Sequence, residues 1–206
     1  MSIEKEIGQD LLDIKAVQIR SDHYFTWTSG IKSPIYCDNR LIMSYPAIRK
    51  KVIKAFIDLM EENNIKPDVI AGCATAGIPH AAWLSAALDL PMVYVRSKPK
   101  AHGKGNQIEG IIHTDQKVLV IEDLISTGGS SIESAIALKK AGAEVLGVYA
   151  IFSYGLKQAK ENFEINGLTY RAITDFDKLI EILVKENHLN EEEKSNMLSW
   201  RNNLTF

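Results

Sequence analysis

The chain has 206 residues with 24 Lys+Arg against 26 Asp+Glu, a formal net charge of -2, which suits one domain over 1–206 and argues against a protein that coats nucleic acid. Such a length buries about 70% of the unfolded surface without a disulfide or metal staple. At 46% hydrophobic and 24% charged, with no apolar run near the ~18 residues of a membrane span, an acidic amphipathic start unlike a secretory signal and two isolated cysteines, Cys37 and Cys73, the expectation is a cytoplasmic protein with reduced thiols.

Ile3, Ile7, Leu11, Ile14 and Val17 recur at helical spacing, with Ser2 as N-cap. Residues 24–36 are rich in aromatic and β-branched side chains broken by Gly30 and Pro34, and they predict a short hairpin. Ser44 caps a helix with Pro46 in its first turn and Ile48, Val52, Phe56 and Leu59 facing inward. Its Arg49, Lys50, Lys51 and Lys54 lack interleaved aromatics and predict a solvated face. From residue 68 strands and helices alternate. Asp68–Ala71 runs into GCATAGIP and an Ala-rich helix, and Met92–Val95 into a polar glycine-rich loop. Val118–Ile121 runs into EDLISTGGSS and a helix through Ala135, Leu138 and Ala141. Val145–Phe152 and Leu168–Ile173 are further strands, then comes a helix with Leu179, Ile180 and Leu183, and the late EEEK reads as a polar helix end. This order predicts an α/β fold, a mostly parallel central sheet flanked by helices, with ligands beyond the carboxyl ends of the strands. His23, His80 and His113 have no partner at ligand spacing and read as structural or surface residues.

The most informative run is VLVIEDLISTGGSS, residues 118–131. A buried strand delivers Glu122 and Asp123, and Ser126-Thr127-Gly128-Gly129-Ser130 follow at a helix start. Backbone N–H groups and hydroxyls there suit an anion. With no GxxxxGK[ST] and no GxGxxG, nucleoside-triphosphatase and dinucleotide folds are unsupported. Carboxylates beside an anion cradle fit a ligand carrying both hydroxyls and a phosphate, such as a ribose 5-phosphate; the alternative is an N-capping turn with a solvated acidic pair. The run resembles the binding motif of the type I phosphoribosyltransferases, which use 5-phosphoribosyl 1-diphosphate (PRPP).

Residues 96–110, RSKPKAHGKGNQIEG, set Arg96, Lys98, Lys100 and Lys104 ahead of the first acid, Glu109. Pro99, Gly103, Gly105 and Gly110 predict a mobile loop, suited to a lid that closes over pyrophosphate. Arg96-x-x-x-Lys100-x-His102-Gly103 resembles the catalytic loop of orotate phosphoribosyltransferases. FTWTSGIKSP at 25–34 resembles the FTxxSGxxSP segment that shapes their orotate pocket, and GCATAGIP at 72–79 resembles their pyrophosphate loop. A PRPP-sensing regulator would share the acidic-glycine run but lack the Lys-His lid. A purine phosphoribosyltransferase would lack both the lid and FTWTSGIKSP.

The resemblance implies transfer of ribose 5-phosphate from PRPP to orotate, giving orotidine 5′-monophosphate and pyrophosphate in pyrimidine (UMP) biosynthesis. It implies the type I phosphoribosyltransferase fold, with residues 1–45 as a small N-terminal hood over the base pocket. Lys100, His102 and Asp123 take catalytic roles. PRPP is held by Arg96, Lys100, His102, Glu122, Asp123, Leu124, Ile125, Ser126, Thr127, Gly128, Gly129 and Ser130, and Ser126 also touches orotate. Mg2+ enters bound mainly through PRPP, with no metal ligands from the chain. A homodimer sharing the lid across subunits is implied, with no nucleic-acid or membrane partner. The chain departs from the family pattern at Thr28, Ala76, Ser97 and Tyr154, where many members are basic. Lys32, Lys98 and Lys104 are the cations at hand to hold the orotate carboxylate. Trp27 reads equally as a pocket wall or a core residue.

Overall fold

A six-stranded sheet organises the chain. The computed structural model describes residues 2–27, 30–98 and 107–204 and orders the strands β10-β9-β8-β5-β6-β7. These are β5 (Val69–Cys73), β6 (Met92–Val95), β7 (Ile108–Glu109), β8 (Lys117–Ile125), β9 (Glu144–Ser153) and β10 (Tyr170–Asp175). Every neighbouring pair is parallel except the β6–β7 edge. Both faces of such a sheet are covered, so its central strands must be apolar on both sides. β5 is buried along its whole length, and Val118, Leu119, Val120 and Ile121 of β8 have no exposed surface.

The crossovers include α3 (Gly77–Leu88), α4 (Gly129–Lys140) and α5 (Lys157–Ile165). Helix α2 (Pro46–Glu62) has Pro at its first turn and buries Ile48, Val52, Phe56 and Met60, one row at i, i+4 spacing. Helix α1 (Ile3–Asp13) lies against α6 (Phe176–Lys185) through Gly8, where a Cβ would stand 2.9 Å from Ile182 Cδ1. Lys51 ties α2 to α1 through Glu6 at 2.8 Å and Asp10 at 2.9 Å, so that part of the basic helix face is engaged in ion pairs. Among the described residues no helix is long and apolar enough to cross a membrane.

Residues up to 45 form two small antiparallel pairs, β1 (Val17–Ile19) with β4 (Ile35–Cys37) and β2 (Phe25–Thr26) with β3 (Lys32–Ser33), then a 3-10 helix, Asn39–Ser44. The expected hairpin at 24–36 is therefore present as β2–β3. Val17 is a strand residue, because α1 stops at Asp13, Lys15 turns with φ +59° and Val17 pairs with Cys37. Ser2 gives no side-chain cap to α1, and Tyr45 rather than Ser44 precedes α2. EEEK is the first turn of α7 (Glu191–Asn203), capped by a reciprocal Asn190–Glu193 box. Strand β8 runs four residues past the expected end, since Glu122, Leu124 and Ile125 stay in register with Ala150, Phe152 and Ser153 of β9.

Candidate active site

Because β8 is extended, Glu122 and Asp123 are held by the sheet rather than by a loop. Glu122 is buried; its carboxylate accepts from the Asp123 N–H at 3.0 Å and from Ser130 Oγ at 3.2 Å. Burial first, and then the neighbouring Asp123, push Glu122 up to about 8; burial also raises Asp123. Glu122 therefore binds its proton more tightly than a free carboxyl does. The Cys73 thiol, at the end of β5, sits against Glu122 and is pushed up by burial, so it stays protonated.

That titration has a consequence for stability. A carboxyl with a raised folded pKa keeps a proton that the unfolded chain has lost, so stability falls as pH rises from the ordinary 4.5 towards 8. His80, buried with neither ring nitrogen partnered among the described residues, is lowered by burial to about 4 and works in the opposite sense up to 6.5. Above 6.5, Glu122 alone of these two still acts. The ligand-free protein is expected to lose melting temperature between pH 6.5 and 8, by at most about 1.4 kcal/mol of stability per unit. Glu122→Gln should flatten that decline, and a slope identical to wild type in thermal melts would contradict the assignment.

Beyond Ile125 the chain makes a turn of three residues, Ser126 to Gly128, into α4. Gly128 takes φ +82°, and a Cβ there would lie 2.5 Å from the Phe163 ring. Asn162 Nδ2 donates to the Thr127 carbonyl at 2.9 Å and Ser131 Oγ to that of Gly128 at 3.0 Å, fixing the turn. At Gly129 the Cβ position meets nothing within 4 Å. Free space thus lies beside the first turn of α4, whose opening N–H groups have no intrahelical acceptors. Gly128→Ala is expected to cost about 1–3 kcal/mol in denaturant melts, from strain and overpacking together; an unchanged midpoint would exclude the clash. The expected 72–79 loop is mostly the end of β5 and the start of α3, and α3 approaches β8 just as closely, since a Cβ on Gly77 would lie 2.5 Å from the Ile121 carbonyl oxygen.

The remaining expected site residues divide. Leu124, Ile125, Ser126, Thr127 and Ser130 are carried with the acidic pair on β8, the turn and α4. Arg96 directly follows β6 and pairs with Glu109 at 3.4 Å, while its N–H donates to the Gln107 carbonyl at 2.9 Å. The base of the expected lid is thus a short antiparallel ladder, not loop throughout. Lys100, His102 and Lys104 of the expected lid, and Thr28, lie outside the described residues. Tyr154 N–H donates to the Ile125 carbonyl at 3.0 Å, and burial pushes its phenol far up, with Cys37 and Asp123 nearby. Trp27 stacks on it at 5.2 Å and 23° and donates from its indole N–H to the Ile35 carbonyl at 3.0 Å. Sequence reasoning missed Asn39, fully buried, whose Nδ2 donates to the Asp123 carbonyl at 2.7 Å. Its amide oxygen has no partner among the described residues.

An acidic pair at the end of a central parallel strand, followed at once by an open glycine turn, defines a class. Residues 42–180 match the model of the phosphoribosyl transferase domain, and the chain belongs to that family, with the type I fold. Within it, an orotate phosphoribosyltransferase of Oceanobacillus iheyensis is 62% identical over 202 residues, 98% of this chain and 100% of that protein. The crystal structure of orotate phosphoribosyltransferase from Aeropyrum pernix is similar with a TM-score of 0.77 at 25% identity, covering 89% of this chain and 99% of that one. UMP synthase of Leishmania donovani is similar with a TM-score of 0.77 at 28% identity over 95% of this chain, which spans 41% of that longer protein.

Proposed function

We propose that this chain transfers ribose 5-phosphate from PRPP to N1 of orotate, releasing pyrophosphate and forming orotidine 5′-monophosphate for pyrimidine nucleotide synthesis. The observation that carries the reading is the juxtaposition of Glu122 and Asp123 with the open space at Gly129. One ligand must satisfy both, and a ribose phosphate does. The 62% identity to the orotate phosphoribosyltransferase of Oceanobacillus iheyensis supports the choice of orotate as acceptor.

The C–O bond at C1′ of PRPP breaks while a bond to orotate N1 forms, so the transition state resembles an oxocarbenium ion. Glu122 and Asp123 accept hydrogen bonds from the 2′- and 3′-hydroxyls and favour positive charge on the ring. Leu124 to Ser130, with the first N–H groups of α4, hold the 5-phosphate. Arg96, Lys100 and His102 neutralise the charge that leaves on pyrophosphate, in a site closed to water. Orotate N1 is acidic in the free base, so a strong general base is unnecessary. Ser126 touches orotate, under a hood formed by residues 1–45 with Trp27 and Tyr154 as walls. Mg2+ would arrive bound to PRPP rather than to ligands from the chain. When bound there, Mg2+ adds charge neutralisation at the leaving group. The reading includes a cytoplasmic homodimer that shares the lid across subunits.

Gly129→Ala places a methyl in the cradle without touching the fold, so it is expected to keep the melting temperature and weaken PRPP binding in calorimetry. The function itself is tested by chromatography of a reaction holding PRPP, Mg2+ and orotate. Equal amounts of orotidine 5′-monophosphate and pyrophosphate are expected, and PRPP left intact would overturn the reading.

A further inference from the structure

The family match ends at residue 180, and helix α7 lies beyond it. Little of α7 is buried, with Met197 its one fully buried side chain, yet it reaches across the molecule to the first hairpin. Trp200 Nε1 donates to the Lys32 carbonyl of β3 at 3.0 Å, a contact 168 residues long in sequence. The Trp200 ring meets Trp27 edge-on, 6.0 Å between centroids at 85°. Trp27 in turn stacks on Tyr154, whose N–H is fastened to the end of β8 two residues past Asp123. At its other side Trp200 lies 6.4 Å from Phe176, and Arg201 clamps the same turn of α6 through Asp177 at 2.6 Å.

The β2–β3 hairpin needs that support. It is a ladder of two residue pairs, Phe25 with Ser33 and Thr26 with Lys32, and an isolated two-stranded hairpin is marginal in water. Its position is therefore set by what its end docks on. Arg20 over the Phe25 ring and Tyr36 beside it hold one side of the hairpin, and the side towards Tyr154 docks on the aromatic row Trp200–Trp27–Tyr154, closed by the Trp200 hydrogen bond to the backbone of the hairpin itself. The 5-phosphate cradle at 126–130 makes none of these contacts.

We infer that Trp200 is a positioning residue for the nucleobase: it holds the β2–β3 hairpin, and with it Trp27, over the Tyr154 side of the site. The inference rests on the orotate reading above. Removing one exposed hydrogen bond and one aromatic pair gives an expected rise in KM for orotate of about tenfold for Trp200→Ala, with KM for PRPP unchanged. Trp200→Phe, which keeps a ring beside Trp27 and loses only the donor, should recover part of that rise and folds even if the alanine variant does not. A helix that only stabilised the fold would lower the active fraction and spare the ratio of the two KM values. Steady-state kinetics with each substrate varied in turn therefore decides. An orotate KM unchanged in both variants, or both KM values rising in proportion, overturns the inference. A wild-type enzyme that leaves orotate untouched overturns instead the functional reading beneath it.

Discussion

Lys100→Ala is expected to lower turnover by about 10²–10³ while PRPP binding changes far less. The reason lies in where charge appears. In PRPP the diphosphate already carries its negative charge, so a cation that only gripped the ground state would contribute to affinity and not to rate. The bond to C1′ must break before further charge reaches the leaving oxygen, and a donor placed there acts on the transition state alone. The proposed function puts His102, two residues further along the chain, in the same set, and Arg96, at the start of this segment, is paired with Glu109. Single-turnover rates read beside equilibrium PRPP binding separate the two effects. Equal losses in both would argue against the lid role of Lys100.

Asp123→Asn is expected to reduce kcat/KM by about 10³. A unit charge about 4 Å from a developing cation contributes about 4 kcal/mol at an effective dielectric of about 20. The substitution keeps shape and a hydrogen-bond acceptor. The tie from Asn39 is made to the Asp123 backbone carbonyl and survives it. Any loss therefore reports the charge at the ribose rather than a collapsed strand. Steady-state kinetics with matched melting curves checks this, and an Asn variant within tenfold of wild type would remove Asp123 from the chemistry.

The α/β architecture was legible because the central strands are apolar on both faces, and four such runs interrupted by helical spacing admit few other folds. The boundaries were less so. Glu122 and Asp123 look like loop residues by type, since acids are depleted in strands; only β9, continuing in register through Ser153, shows why β8 carries them. β7 has two residues, too few for any period. The acidic-glycine run marked the ligand's chemistry from sequence because all its groups are contiguous. Asn39 left no such mark. It acts on a backbone atom 84 residues away, and no pattern of side chains encodes that. The same holds for Trp200, whose partner is the Lys32 carbonyl.

The central claim is most directly tested by following ultraviolet absorbance of the base after PRPP and Mg2+ are added to the enzyme, with orotate, adenine and a 6-oxopurine in parallel cuvettes. Loss of the orotate band is expected, with no change in the purines. Unchanged orotate beside consumption of adenine or the 6-oxopurine would contradict it.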